Sequence, residues 1–293
     1  MRVLVLGSAG FVGRNLVWEL ARRGAEVETW SRAQTGLPES ACHRCVDLLQ
    51  PDTFAAARGP WDGAVLLAGH AVPGTDFTAQ MGYENAVIAT NSLAHLTATS
   101  PGARVVVMSS AHVYGNAGGT QLVGEDRTIS PAGEYGASKL AVEQAAARAS
   151  SLEVAVLRSF HLIGPRMPRG LLVPDVLERL ARGENPLRMR GSDGVRDFLD
   201  VRDGARAIVK LLEARSGKPV VYNLCSGRGE RVSKVVAGLV QRLDPDREIR
   251  FVPGAPRTFV GSPAALSLAT GWTPRIPLDE TLDWIASETR QAA

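Results

Sequence analysis

Cysteine is scarce in this sequence, which contains only Cys42, Cys45 and Cys225. The first two form a C-x-x-C motif, but a zinc site would require two further cysteines or histidines at suitable spacing, and these are missing. A redox-active pair is disfavoured because the motif does not open a helix. We therefore expect this segment to be a loop with two free thiols in a reducing compartment.

Lysine and long apolar runs are scarce as well. Four of the 33 basic residues are lysines, the net charge is +3, and no basic block stands out. This composition argues against a nucleic-acid partner and favours single arginines that contact the phosphates of a small ligand. No apolar run reaches roughly 18 residues, and the N-terminus lacks the apolar region of a signal peptide. These absences predict a soluble cytoplasmic protein that does not contact a membrane.

The first half of the sequence alternates short apolar strands with helices. The predicted strands are Arg2–Leu6, Val27–Trp30, Ala64–Leu67, Arg104–Met108 and Val154–Leu157. The helices between them, notably Gly136–Ala149, predict a doubly wound parallel sheet of Rossmann type in the α/β class.

The second half is less regular. Its predicted elements are the helices Val173–Arg182, Asp203–Ala214, Ser233–Leu243 and Leu278–Ser287 and the strands Leu187–Arg190 and Val220–Leu224. The last of these strands is expected to return to the first sheet. The predicted organisation is therefore a Rossmann domain over residues 1–165, to which residues 196–225 partly return, and a smaller C-terminal α/β domain over residues 166–293.

A glycine turn joins the first strand to the first helix. Its glycines are Gly7, Gly10 and Gly13, in the spacing G-x-x-G-x-x-G. Gly7 permits the tight turn, Gly10 lets the backbone approach a diphosphate, and Gly13 lets the helix pack close to the strand. The helix N-terminus then offers N–H groups and a partial positive charge to phosphates. This arrangement predicts a dinucleotide site, although an unliganded glycine turn is the alternative.

The end of the second strand indicates which dinucleotide is bound. A site that prefers NAD places a carboxylate there for the ribose 2′-hydroxyl, whereas this sequence has Ser31 and Arg32. Both side chains suit a 2′-phosphate, and Arg14 is a further candidate. We therefore predict that NADP(H) is preferred and that NAD(H) is possible; a plain surface arginine is the alternative for Arg32. Asp47 and Leu48 are expected to contact the adenine.

Tyr135 and Lys139 form a Y-x-x-x-K motif, which places both side chains on one face of a helix. The lysine ammonium, together with the positive nicotinamide of an oxidised cofactor, is expected to lower the pKa of the Tyr135 phenol towards the working pH. Ser110 lies upstream, at the end of a neighbouring strand. The motif gains its significance from this serine and from the glycine turn.

In this order and spacing, the glycine turn, Ser110, Tyr135 and Lys139 resemble the extended short-chain dehydrogenases/reductases, which include nucleotide-sugar epimerases, dehydratases and ketoreductases. Further matching stretches are "SSAHVYG", "YGASKLAVEQ", "LRSFHLIGPR", "RDFLDVRDGARAI", "YNLCSG" and "ATGWTPRIPLDETL". Two of them, "RDFLDVRD" and "VYNLCSGRG", look closest to the GDP-4-keto-6-deoxymannose reductases. The resemblance implies NAD(P) in the N-terminal sheet, a sugar nucleotide in the smaller domain, and a homodimer formed through Tyr83–Ala98 and Gly136–Ala149.

The resemblance also implies roles for the motif residues. Ser110 and Tyr135 hold the oxygen of the sugar carbon that exchanges hydride, Tyr135 transfers the proton, and Lys139 contacts the nicotinamide ribose. Ser109 is expected to be structural. The remaining expected cofactor contacts are Ala9, Phe11, Val12, Ala68, Gly69 and Phe160.

Ala111 and His112 stand where the dehydrating members carry an Asp-Glu pair, which makes 4,6-dehydration improbable. Epimerising members have a cysteine at the position of His112, and an imidazole there has a pKa suited to proton transfer at neutral pH. Epimerisation on both sides of a ketone needs a second acid–base group, for which His161 is a candidate. The alternative is that both histidines only form hydrogen bonds with the sugar or a loop.

Two arginines are candidates for the diphosphate of the substrate. Arg196 matches the family arginine, although pairing with Asp197 or Asp200 is a structural alternative. Arg257 is the candidate partner, but the family usually reads Arg-Pro-x-Asp where this chain has "RTF". The segment "AGHAVPGTDF", residues 68–77, also departs from the family pattern in a loop that lines the sugar pocket of the family, which suggests an unusual sugar.

The preferred hypothesis is an NADP(H)-dependent ketoreductase acting on a nucleotide-linked deoxysugar, because an NADP-selective site suits net reduction. The second is a nucleotide-sugar epimerase with His112 as proton carrier. The third is a non-catalytic NADP-sensing regulator, against which the intact Ser110, Tyr135 and Lys139 argue. No metal is expected.

Overall fold

A parallel seven-stranded sheet forms the centre of the protein in the computed structural model. The structure describes residues 1–33, 36–71, 76–115, 119, 121–191, 193–214, 220–252, 254 and 257–292. The strands of the sheet are β1 (Arg2–Leu6), β2 (Glu26–Ser31), β3 (Cys42–Cys45), β4 (Gly63–Leu66), β5 (Arg104–Ser110), β6 (Glu153–Ser159) and β10 (Val220–Leu224). Their spatial order is β10-β6-β5-β4-β1-β2-β3, so the chain runs outwards from β1 in both directions, as in a doubly wound fold.

Helices cover both faces of this sheet. They are α1 (Phe11–Arg22) and α5 (Val201–Glu213) on one face, and α2 (Ala79–Thr99) and α3 (Gly133–Arg148) on the other. In β1, Val3 and Val5 pack with α1 and α5, while Leu4 and Leu6 pack with α2 and α3. A strand buried on both faces needs apolar residues at every position, which explains the continuous apolar run.

The smaller part of the molecule lies beyond β6. Its strands are β7 (His161–Ile163), β8 (Leu187–Arg190), β9 (Val195–Asp200), β11 (Gly229–Arg231), β12 (Ile249–Val252) and β13 (Thr258–Phe259). Its helices are α4 (Leu172–Ala181), α6 (Val232–Leu243) and α8 (Leu278–Ala292), whereas α7 (Ala264–Thr270) packs against β10 of the large sheet. An apolar cluster that includes Val176, Leu239 and Ile285 forms its core.

The strands Arg2–Leu6, Leu187–Arg190 and Val220–Leu224 have the predicted bounds, and the last pairs in parallel with β6. The Rossmann-type α/β fold class is confirmed. The division of the chain at residues 165 and 166 stays a prediction. Among the described residues, we find no helix with the length and apolar character needed to span a membrane.

The loop predicted around Cys42 and Cys45 is wrong. These residues form the edge strand β3, which pairs with β2 in the register Glu28–Cys42 to Ser31–Cys45. An edge strand is stabilised by main-chain hydrogen bonds to one neighbour and can carry polar residues, so it lacks the apolar run that identifies central strands. Both thiols are free, as expected, and both residues are exposed.

Candidate active site

The glycine turn has the close backbone contacts that its sequence predicts. Gly7 has a φ of +92°, and a Cβ there would lie 2.6 Å from the amide nitrogen of Ala68. A Cβ on Gly13 would overlap the carbonyl oxygen of Gly7. Gly10 is the N-cap of α1 and has no side chain to occupy the N–H groups of the first turn. The turn therefore presents helix N–H groups to an anion.

Two cavities meet at this turn, with volumes of about 530 Å³ and 370 Å³. Every predicted cofactor residue lines at least one of them. Gly7, Ala9, Gly10 and Gly69 line both; Phe11, Val12, Gly13, Tyr135, Lys139 and Phe160 line the larger; Ser31, Arg32, Asp47, Leu48 and Ala68 line the smaller. A groove with two compartments joined at a helix N-terminus fits a dinucleotide, whose diphosphate lies between two nucleosides.

The predicted catalytic side chains come together in the larger cavity. Ser110 ends β5, and its Oγ accepts a hydrogen bond of 3.2 Å from the backbone N–H of His112. Tyr135 lies within hydrogen-bonding reach of Ser110. The Nζ of Lys139, one turn further along α3, lies 5.8 Å from the centre of the Tyr135 ring. This serine, tyrosine and lysine can hold and protonate a carbonyl oxygen.

The expected lowering of the Tyr135 pKa is not found in the protein's own residues. Burial raises the pKa of this phenol above its ordinary value, and the hydrogen bond with Ser110 offsets this only in part. Burial also lowers the pKa of Lys139 to about 8, since a buried ammonium is costly. The prediction counted the lysine charge and left out the desolvation of both groups. At neutral pH Tyr135 is consequently a proton donor.

Both predicted histidines line the same cavity. The His112 ring lies 5.2 Å from the Tyr135 ring, and its Nδ1 lies 3.1 Å from Ser110 Oγ. Burial, followed by the charge of Arg196, lowers the pKa of His112. Burial, followed by His112 and Arg196, lowers the pKa of His161 to about 4. Both imidazoles are therefore neutral at pH 7. The Nδ1 of His161 is buried and has no hydrogen-bond partner among the described residues.

The two predicted diphosphate arginines line neither cavity. The Arg196 Nη1 donates to the carbonyl oxygens of Val195, at 3.0 Å, and Arg257, at 2.6 Å. Its suggested pairing with Asp197 or Asp200 is wrong. Asp197 accepts hydrogen bonds from Ser226, Gly227 and Gly261, and Asp200 pairs with Arg202 at 2.8 Å. Arg196 nevertheless lies close enough to lower the pKa values of both histidines.

The loop after β4 only partly lines the larger cavity. Gly69 and Ala71 do so, whereas His70 lines the smaller cavity, and residues 72–75 lie outside the described residues. His70 lies at the smaller cavity because its Nε2 contacts Glu84, which lines the same cavity, at 2.7 Å. The expectation that this loop lines the sugar pocket stays a prediction. The residues next to His70 in the sequence do not indicate that it contacts Glu84, which lies 14 residues away.

A buried polar network behind the site was missed by the sequence analysis. The guanidinium of Arg158, on β6, binds both carboxylate oxygens of Glu143 at 2.9 and 2.7 Å. Ser109 Oγ donates to the same carboxylate at 2.6 Å, which agrees with its expected structural role. Glu143 follows Lys139 by four residues on α3. The same helical spacing that places Tyr135 and Lys139 on one face could have indicated that Glu143 lies on that face as well. The network fixes β5, β6 and α3 to one another.

The sheet topology and the Ser110–Tyr135–Lys139 site define a dinucleotide-dependent oxidoreductase fold. Residues 3–225 match the NAD dependent epimerase/dehydratase family, and the chain belongs to this family. GDP-6-deoxy-D-mannose reductase of Pseudomonas aeruginosa is 31% identical over 304 residues, covering 98% of this chain and 96% of that protein. dTDP-6-deoxy-L-talose 4-dehydrogenase (NAD(P)(+)) of Kitasatospora kifunensis is 30% identical over 312 residues, covering 100% and 97%.

A solved structure of RMD from Pseudomonas aeruginosa complexed with NADPH is 28% identical, with a TM-score of 0.84 over 99% of each chain. The predicted family and enzyme class are confirmed: an NAD(P)-dependent oxidoreductase or epimerase that modifies nucleotide sugars. The predicted nicotinamide cofactor agrees with the NADPH of this neighbour.

Proposed function

We propose that this protein is an NADP(H)-dependent reductase of a keto group on a nucleotide-linked deoxysugar. The observation that carries the proposal is the meeting of Ser110, Tyr135 and Lys139 in the larger cavity. Tyr135 is a neutral phenol beside Ser110, as proton donation to a ketone oxygen requires. The names of the two relatives, a deoxymannose reductase and a deoxytalose dehydrogenase, support the substrate class.

A bound NADPH supplies the hydride that reduces the ketone carbon. Ser110 and Tyr135 hold the ketone oxygen, and the Tyr135 hydroxyl gives it a proton, so that the carbonyl becomes a secondary alcohol. Lys139 contacts the nicotinamide ribose and lies near enough to Tyr135 to assist its reprotonation. His112 and His161 form hydrogen bonds with the sugar, and Arg196 and Arg257 face the substrate diphosphate.

The cofactor is held along both cavities. Ser31, Arg32, Asp47 and Leu48 line the smaller one, where the first two would hold the 2′-phosphate and the last two would hold the adenine. The preference for NADP over NAD follows from the charge of Arg32 and from the lack of a carboxylate at the end of β2.

The alternative is an epimerase in which His112, 3.1 Å from Ser110, moves a proton beside the ketone. Proton abstraction is efficient when the pKa of the base is near the working pH. The pKa of about 4 for the candidate partner His161 makes it a weak base at neutral pH, and burial also lowers the pKa of His112; both effects favour reduction.

Heavy water distinguishes these reactions. Enzyme, NADPH and a keto-deoxysugar nucleotide are incubated in D₂O, and the product is analysed by NMR and mass spectrometry against an enzyme-free control. We expect one hydride at the former ketone carbon and no enzyme-dependent deuterium on the neighbouring carbons. Deuterium there would establish the epimerase. Cofactor binding without turnover of any keto-sugar nucleotide would instead favour the regulator.

We also propose a homodimer through α2 and α3, which pack against each other. The side of this pair that faces away from the sheet carries Tyr83, Thr90, Ala94, Ala137 and Ala147, all exposed. Small residues allow two such pairs to approach closely. Light scattering should give twice the chain mass, and Ala94→Arg should yield monomers; a monomeric native protein would contradict the proposal.

A further inference from the structure

A carboxylate shares the smaller cavity with the proposed 2′-phosphate site. Glu84, on the first half of α2, lines this cavity together with Ser31 and Arg32. Its side chain is 25% exposed, so it is accessible without being fully solvated. The charge of Arg32 reaches it and contributes to the lowering of its pKa.

Two neighbours hold the Glu84 carboxylate on the cavity wall. His70 Nε2 lies 2.7 Å from its Oε2, and Gln80 Nε2 donates to its Oε1 at 3.0 Å. Asn85 fixes His70 in turn, since its Oδ1 accepts from the His70 N–H at 2.7 Å and its Nδ2 donates to the His70 carbonyl at 3.1 Å. The position of the negative charge is therefore set by the fold.

The charge is present at neutral pH. Hydrogen bonds from Gln80 and His70 lower the pKa of Glu84, with a smaller contribution from Arg32. The other carboxylate of the cavity is that of Asp47, which forms hydrogen bonds within its own loop. It accepts one from the Leu49 N–H at 3.1 Å and one from Gln50 Nε2 at 3.4 Å.

We propose that Glu84 is a selectivity residue that limits the preference of this protein for NADP over NAD. Its carboxylate competes with a 2′-phosphate for the charge of Arg32 and repels that phosphate, whereas the uncharged 2′-hydroxyl of NAD meets no such repulsion. The inference rests on the proposed function, in which Arg32 contacts the 2′-phosphate. A negative charge fixed in the same cavity as Arg32 would therefore keep NAD(H) competitive with NADP(H).

Isothermal titration calorimetry with NADPH and with NADH tests the inference without catalysis. Glu84→Gln removes the charge and keeps an amide that can bond His70 and Gln80. We expect it to raise the ratio of NADPH to NADH affinity by about threefold to tenfold, and the gain should shrink at high salt. Glu39→Gln is the matched control, since Glu39 is exposed and lines neither cavity; it should leave the ratio unchanged.

A ratio that stays within twofold of the native value, or that falls, would overturn the inference. Glu84→Ala repeats the test if the glutamine variant misfolds, and it should raise the same ratio. Arg32→Ala tests the 2′-phosphate site separately. If this substitution weakens NADPH and NADH binding equally, the proposed 2′-phosphate site is wrong; if it weakens only NADPH binding while Glu84→Gln has no effect, only the role of Glu84 is wrong.

Discussion

The two cavities that meet at the glycine turn are built by different means. The junction between them is made of backbone, with Gly7 and Gly13 in contacts that exclude a side chain. The far end of the larger cavity is made of titratable side chains whose pKa values are shifted by burial. We therefore expect cofactor binding to depend on the shape of the backbone junction and on a few charges. The type of reaction should depend on the protonation states of the side chains in the larger cavity.

The substitution Tyr135→Phe is expected to separate catalysis from cofactor binding most clearly. The change removes only the proton-transferring hydroxyl, so turnover should fall by about 10²–10⁴-fold. Calorimetry should show NADPH affinity within about twofold of the native value, because the residues that line the rest of the two cavities are unchanged. Retention of most activity would remove Tyr135 from its proposed role.

His112→Ala tests whether a titratable side chain of the larger cavity acts only through a hydrogen bond. We expect turnover to fall by about tenfold to a hundredfold, the effect of one lost hydrogen bond of ~1.5–3 kcal/mol. The D₂O product should remain unlabelled beside the former ketone. If the native enzyme incorporates deuterium there and this variant does not, His112 is a proton carrier and the reaction is an epimerisation.

Arg32→Ala tests the charges of the smaller cavity. NADPH binding should weaken by roughly 1–3 kcal/mol through loss of a charge-assisted contact, and NADH binding should barely change. Calorimetry with both cofactors measures this directly. Equal losses would mean that Arg32 does not contact the 2′-phosphate.

His161→Asn is expected to show the smallest effect, on stability. The folded pKa of His161 is about 4, below its ordinary value of 6.5, so between these values the unfolded chain binds a proton that the folded chain does not. Folding stability therefore falls as the pH falls from 6.5 towards 4. Denaturant titrations at pH 7 and pH 5 measure the free energy of unfolding. Between these two pH values it should fall by about 1–2 kcal/mol less in the variant than in the native protein. The pH 7–8 interval is the internal control, where both should behave alike; parallel acid losses would contradict the prediction.

The central strands and the glycine turn were predictable because their signals are local. Buried parallel strands read as apolar runs, and the residues Gly7 and Gly13 sit where a strand gives way to a helix. The edge strand Cys42–Cys45 and the strands β7, β9, β11, β12 and β13 were not predictable in this way. They are defined by pairing with distant partners, such as Phe198 of β9 with His161 of β7.

The candidate site was also predictable from the sequence only in part. Every predicted cofactor residue lines a cavity because the spacing of the motif places it there. The pKa of Tyr135 and the orientation of His70 toward Glu84 were not accessible, since they depend on burial and on contacts across the fold. Residue type and spacing identified the participants, and tertiary packing set their charge states.

The adjacent serines of β5 have a consequence for strand alignment. Ser109 is bound to the buried Glu143–Arg158 pair, while Ser110 bonds with His112 in the active-site cavity. Neighbouring residues of a strand point to opposite sides, so a slip of one position would bring either Ser110 to the buried pair and Ala111 to the cavity, or Met108 to the buried pair and Ser109 to the cavity. The first slip removes the hydroxyl from the cavity, and the second takes from the buried carboxylate the hydroxyl that donates to it. Only the aligned strand gives a hydroxyl to both, so the buried ion pair favours the alignment on which the chemistry depends.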